Sequence, residues 1–197
     1  TLEIGSGFST VFIADAKYIL KNYFGRVENI RCDKQFHIYS VGESKHFLNV
    51  TKKRIPKKLK SHISLIFNKV NIINYQGKFA LKHENLPNIS PDLIYLDGPS
   101  IYSAKKKFMG FSFNNISRVP MSADILFSEF FLEPGTFIVI DGRGANAEFL
   151  RSFLKRNWKY YYDKKGDCHY FELVEKPWGE WNSKKLKFCL KDKFNFF

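Results

Sequence analysis

Cysteine is scarce and scattered in this sequence. Cys32, Cys168 and Cys189 are odd in number and lack the paired spacing of thiolate ligands, which argues against a disulfide framework and against a structural zinc site. Apolar runs are short. None approaches the roughly eighteen residues that a membrane helix needs, and the chain does not open on a charged segment followed by an apolar one, as a secretion signal does. Internal repeats and low-complexity linkers are missing too. These absences predict a soluble, cytoplasmic chain with no membrane span. Acidic residues are also in short supply, 19 against 32 lysines and arginines, which leaves a net charge of +13. Such a surplus favours polyanionic partners through counterion release. Three explanations stand side by side: a compositional bias that enriches Phe, Ile, Asn, Lys and Tyr together, a nucleic-acid partner, or an acidic sugar or lipid head group.

The 197 residues, 44% of them apolar, suit one domain with a single core. Leu2 to Ile4 read as the end of a strand that runs into Gly5-Ser6-Gly7, so the chain is expected to begin mid-strand and its domain to be truncated at the N-terminus. Helical spacing from Ser9 to Tyr23 follows, with Ser9 or Thr10 able to cap its first turn. Phe36 to Val41 alternates as a strand, and Lys45 to Leu59 reads as a basic helix interrupted by Pro56. A third strand is expected within Ile63 to Tyr75. Asp92 to Leu96 is an apolar run without alternation, as in a strand buried on both faces. Ser122 to Leu132 is helical in period, Thr136 to Ile140 is a β-branched strand, and Ala145 to Asn157 is a further helix. Trp158 to Tyr162 and Cys168 to Val174 are joined by a turn too short for anything but antiparallel neighbours. The pattern predicts an α/β fold, a doubly wound and mostly parallel sheet that ends in an antiparallel hairpin. The domain is expected to span residues 1–175, with residues 176–197 as an extension packed on it, either as an edge strand or as an arm.

Gly5 and Gly7 stand between a strand and a helix, where glycine lets a ligand approach the backbone. An acid two residues earlier changes which ligand fits. A pyrophosphate at a helix N-terminus has no use for a carboxylate beside it, whereas a cationic ligand does. Glu3 supplies that carboxylate, and Thr10 stands where a dinucleotide site would carry its third glycine. Glu43, after the second strand, is the candidate acceptor for two ribose hydroxyls. Asp97 and Asp141 each end a strand, at the edge where doubly wound sheets bind ligands, so they are placed to converge on one ion or one hydroxyl.

The run Leu2-Glu3-Ile4-Gly5-Ser6-Gly7-Phe8-Ser9 resembles motif I of the class I S-adenosylmethionine-dependent methyltransferases. Leu93-Ile94-Tyr95-Leu96-Asp97-Gly98, with Pro134 to Asp141 later, is similar to the metal-dependent O-methyltransferases of small molecules, sugars and catechols. The resemblance implies a Rossmann-like methyltransferase fold and S-adenosyl-L-methionine bound by Glu3, Gly5, Ser6, Gly7, Ser9 and Glu43. It implies Asp97 and Asp141 as catalytic groups or as ligands of Mg²⁺, and methyl transfer to an oxygen of a small molecule or sugar. Two departures stand out: Gly42 holds the place where such families carry the ribose-binding acid, and Gly142 the place of an amide or acid after the second aspartate.

The segment Ser100 to Met121 is long for a connector and rich in aromatic and basic residues, which marks it as an acceptor lid. Tyr102 and Lys105 in it, with Phe108, Phe111, Phe113 and Arg118, are the candidates there, and Arg143 is a third candidate substrate contact beside the second aspartate. The five histidines, His37, His46, His62, His83 and His169, show no pairing and are expected at the surface or in the core. Two alternatives remain beside the main reading. An RNA or DNA amino-methyltransferase would explain the charge, but Asp97-Gly98-Pro99-Ser100 lacks the second proline and the stacking aromatic of those enzymes. A non-catalytic cofactor-binding module would explain Gly42 and Gly142.

Overall fold

The first strand of the computed structural model, β1 (Leu2–Ile4), is buried along its whole length and turns at Gly5 into helix α1 (Phe8–Phe24). Residues 1–28, 30–116, 119 and 121–190 are described. Strand β2 (Ile38–Gly42) and helix α2 (Lys45–Arg54) follow, the helix capped by the Ser44 hydroxyl, which accepts from the Phe47 amide. Pro56 ends this helix as its missing N–H requires, and a 3-10 segment (Lys57–His62) leads to β3 (Ile63–Phe67). The sheet continues with β6 (Leu93–Leu96), β7 (Phe137–Asp141), β8 (Trp158–Asp163) and β9 (Cys168–Leu173), in the order β3-β2-β1-β6-β7-β9-β8. β9 runs antiparallel to both neighbours and the other pairings are parallel. This is the mostly parallel α/β sheet closed by a hairpin that the patterning predicts.

The structure corrects several expectations. The third strand within 63–75 is two strands, for β4 (Val70–Tyr75) leaves the main sheet and pairs with β5 (Lys78–His83) as a separate hairpin. The helix over 122–132 is shorter: α3 (Asp124–Ser128) gives way to a 3-10 turn at Glu129–Phe131. Helix α4 spans Gly144–Phe153. The tail is neither an edge strand nor an irregular arm up to Leu190, but helix α5 (Gly179–Cys189), while residues 191–197 of the expected extension lie outside the described residues. Leu186 of α5 fills the space over Gly135, Asn182 donates to the Pro134 carbonyl at 3.1 Å, and Lys185 pairs with Glu133 at 2.7 Å.

One face of the sheet carries Ile4, Val41, Ile94, Leu96, Ile138 and Ile140 beneath α3 and α4, and the other carries Ile38, which packs with Ala14 of α1 and Leu59. β6 is not buried equally on both sides. Ile94 and Leu96 are buried while Leu93 and Tyr95 are half-buried, because alternate residues face opposite ways. Among the described residues no helix is long and apolar enough to cross a membrane, and all three cysteines are free thiols.

The added hairpin is fastened to the domain by a buried polar cluster. His83 Nδ1 donates to Asp124 Oδ2 at 2.8 Å and the His83 amide to Oδ1 at 2.9 Å, while Ser122 Oγ donates to Oδ2 at 2.7 Å. Both the imidazole and the carboxylate side chain are wholly buried. Removing one partner of a buried pair strands the other, which costs about 3–5 kcal/mol. Asp124→Ala is therefore expected to destabilise the fold by that amount, read as a lower urea midpoint, and a midpoint within about 1 kcal/mol of wild type counts against this anchoring role.

Candidate functional site

The C-terminal ends of β1, β2, β6 and β7 meet at one edge of the sheet. Gly5 is held there by close approach: its φ is +108°, and a Cβ on it would stand 2.7 Å from the carbonyl carbon of Asp97 and the nitrogen of Gly98. The two turns nest backbone against backbone, so this glycine is required by packing alone. Gly7 differs. Its backbone is extended and a Cβ there would meet no atom within 4 Å. Among the described residues, its two chain neighbours aside, nothing fills the space beside it.

Beneath this turn, Glu3 is fully buried. Ser9 Oγ donates to its Oε1 and Thr10 Oγ1 to its Oε2, each at 2.6 Å. Thr10 Oγ1 also accepts from the Gly7 amide at 3.1 Å, so the first turn of α1 is stitched to β1 by the carboxylate. Burial pushes the Glu3 carboxyl above its ordinary range, and hydrogen bonds from Ser40, Ser9 and Thr10 pull it back. Ser6 Oγ lies 2.6 Å from Ser40 Oγ on β2. Glu3, Ser6 and Ser9 are thus drawn together, with their polar atoms directed at one another and at β2.

Gly42 has a structural reason. A side chain in its place would crowd Leu48 of α2 and Cβ of Ser6, both 3.2 Å away. Glu43 comes next, and its Oε1 accepts from the Ser100 amide at 3.0 Å and from Ser103 Oγ at 2.7 Å. It ties the end of β2 to the loop after β6.

Asp97 directly follows β6 and Asp141 ends the adjacent β7, but each has a partner of its own. Arg143 Nε donates to Asp97 Oδ1 at 3.2 Å, its Nη2 to the Asp97 carbonyl at 2.6 Å and its Nη1 to the Pro99 carbonyl at 3.0 Å. Tyr95 Oη donates to Asp141 Oδ2 at 2.5 Å. Partial burial pushes the Asp97 carboxyl up while Arg143 opposes the shift, and burial followed by the Asp141 hydrogen bond holds the Tyr95 phenol above its ordinary range. Tyr95 is the site residue that sequence reasoning missed. The signal was available, because residues two apart on a strand share a face and Tyr95 precedes Asp97 by two.

These donors suit a divalent ion poorly. A guanidinium already faces Asp97 and a phenol Asp141, and among the described residues no group of three or more His, Cys, Asp or Glu side chains is placed to hold a metal. Arg143, expected as a substrate contact, grips the β6 turn.

The segment after β6 packs against the added hairpin. Phe79 of β5 lies 4.7 Å from Phe111 and 5.6 Å from Phe108, ring centre to ring centre, and Phe113 is buried beside them. These phenylalanines form a small core of their own against the hairpin. Tyr102 is exposed, and Lys105 lines a shallow cleft with Phe79 and Met109 whose walls include none of the glycine-turn residues. Arg118 lies outside the described residues. Of the histidines, His37 and His169 are buried and bond Ser64 and Tyr160, at 2.9 and 2.8 Å.

Because Arg143 makes three bonds to one turn, Arg143→Ala is expected to cost about 1–3 kcal/mol in urea unfolding; an unchanged midpoint would show that the clamp contributes nothing. No family model matches the sequence, and no curated protein or solved structure matches it.

Proposed function

We propose that the chain binds S-adenosyl-L-methionine at the β1–α1 turn and transfers its methyl group to an oxygen of a small molecule or sugar. The observation that carries this reading is the open space beside Gly7, a glycine that neither φ nor packing demands. The buried carboxylate of Glu3 beneath the same turn supports a cationic ligand over a pyrophosphate, since it offsets the positive end of α1. The doubly wound sheet and its closing antiparallel hairpin fit the fold that the resemblance implies.

The sulfonium supplies an electrophilic methyl carbon, and the protein's task is to align the acceptor and take its proton. Asp97 is the residue for that proton. It is half-exposed at the strand end, and burial shifts its carboxyl upward against the opposing pull of Arg143. Arg143 fixes the turn that carries it. Asp141, bonded to Tyr95, holds the neighbouring edge of the site. No step in this reading needs a metal, and turnover is expected to persist in the presence of a chelator.

Calorimetric titration tests the cofactor directly. Micromolar binding of S-adenosylmethionine with none of NAD is expected, and the reverse result sinks the reading. Gly7→Ala is expected to change stability by no more than about 1 kcal/mol while weakening the cofactor by about tenfold or more, because the added methyl enters the free space. Asp97→Asn should lower turnover by about 10²–10⁴ with cofactor affinity intact. Cofactor binding without turnover on any hydroxyl acceptor would favour the non-catalytic module instead.

A further inference from the structure

Helix α1 is apolar on both sides. Its inner side is set by Ala14 and Thr10, both fully buried. On the opposite side, spaced by four, four, three and four residues, stand Phe8, Phe12, Ala16, Ile19 and Tyr23, all exposed. Phe12 is 72% exposed, Ile19 59% and Tyr23 80%. A helix that meets water on its outer side ordinarily carries charges there. The charged residues of α1, Asp15, Lys17 and Lys21, sit off this stripe. An apolar patch of this extent on an outer surface marks a contact site.

A second feature lies against the stripe. Between Glu43 and Glu84 the sequence holds ten lysines and arginines and no acidic residue. Ten of the thirteen net positive charges thus come from 40 residues, and the other 157 carry three between them. A chain-wide compositional bias would not concentrate charge in this way. Every cation from Lys52 to Lys60 is exposed. The two features form one surface: the Arg54 guanidinium lies 4.1 Å from the Phe8 ring centre, and Lys58 Nζ lies 5.2 Å from the Tyr18 ring and 3.1 Å from Asp15. Asp15, the one carboxylate of α1, is therefore already matched by a cation.

The chemistry of this surface selects among partners. Single-stranded nucleic acid stacks its bases on aromatic rings along a basic groove, whereas the outer side of α1 interrupts its rings with the exposed aliphatic residues Ala16, Ile19 and Leu20. A second copy of the chain meeting this face about a two-fold axis would gather two cationic segments into one interface. A ridge of Phe, Ile and Tyr flanked by lysines and arginines matches a layer that is apolar within and anionic at its surface. We propose that the outer face of α1, with the cations of residues 52–60, docks on an anionic membrane surface. The proposal stands independently of the cofactor reading.

Cosedimentation of the full chain with unilamellar vesicles tests it, using phosphatidylcholine alone and phosphatidylcholine with phosphatidylglycerol. The chain is expected to pellet with the anionic vesicles and not with the neutral ones, less so at about 0.5 M salt than at about 0.05 M. Phe12→Glu with Ile19→Glu should reduce binding by about tenfold or more, and so should reversal of Lys53, Arg54 and Lys57 to glutamate. All five positions are exposed, and an unchanged circular dichroism spectrum and melting point verify the fold of both variants. Absence of pelleting with anionic vesicles overturns the proposal. So does pelleting that the Phe12/Ile19 variant retains, a dimer that this variant dissolves, or a salt-sensitive RNA complex in a chain that ignores vesicles.

Discussion

The junction of β1 and α1 rests on one buried carboxylate. Glu3 lies inside the domain, where an ionised group without partners would be costly, and two hydroxyls from the first turn of the following helix supply those partners. Strand and helix are thereby locked at a fixed angle. The positive end of α1 lies over the same carboxylate, and Ser40 on β2 joins the network through Ser6 and Thr10. The Gly5 amide donates to the Val41 carbonyl and the Asp97 amide to the Ile4 carbonyl, each at 2.9 Å, so backbone bonds to both neighbouring strands hold the turn above this junction.

The strand, glycine turn and helix of that junction were legible because they are near in sequence, but the bonds from Ser9 and Thr10 to Glu3 were not, since the hydroxyls read as helix caps and the acid as a cofactor contact. The sheet was legible for a similar reason, since β6 and β7 are largely apolar runs and β8 and β9 are joined by a short turn. The β4–β5 hairpin escaped. Its turn is Gln76-Gly77, both at positive φ, and glutamine is not among the residues that announce such a turn. Helix α3 was overestimated because periodicity continues to Leu132, while Glu129 instead accepts bonds from the Lys155 and Arg156 amides and the Trp158 indole. Local pattern cannot see a partner 26 residues away.

The candidate site divides along the same line. Sequence placed Asp97 and Asp141 at adjacent strand ends, which topology alone decides. It could not tell that Arg143 would be taken up by Asp97 and Pro99, or Asp141 by Tyr95, because those pairings depend on side-chain reach across strands. Phe108, Phe111 and Phe113 likewise read as a lid only while the hairpin they pack on was unseen.

Glu43 joins the end of β2 to the loop that follows β6. One of its oxygens accepts from both Ser100 and Ser103. The far half of the same segment stays fixed by its phenylalanines on the hairpin. The loop is thus held by a carboxylate at one end and by an aromatic cluster at the other, so its two halves answer to different chemistry, one polar and one apolar.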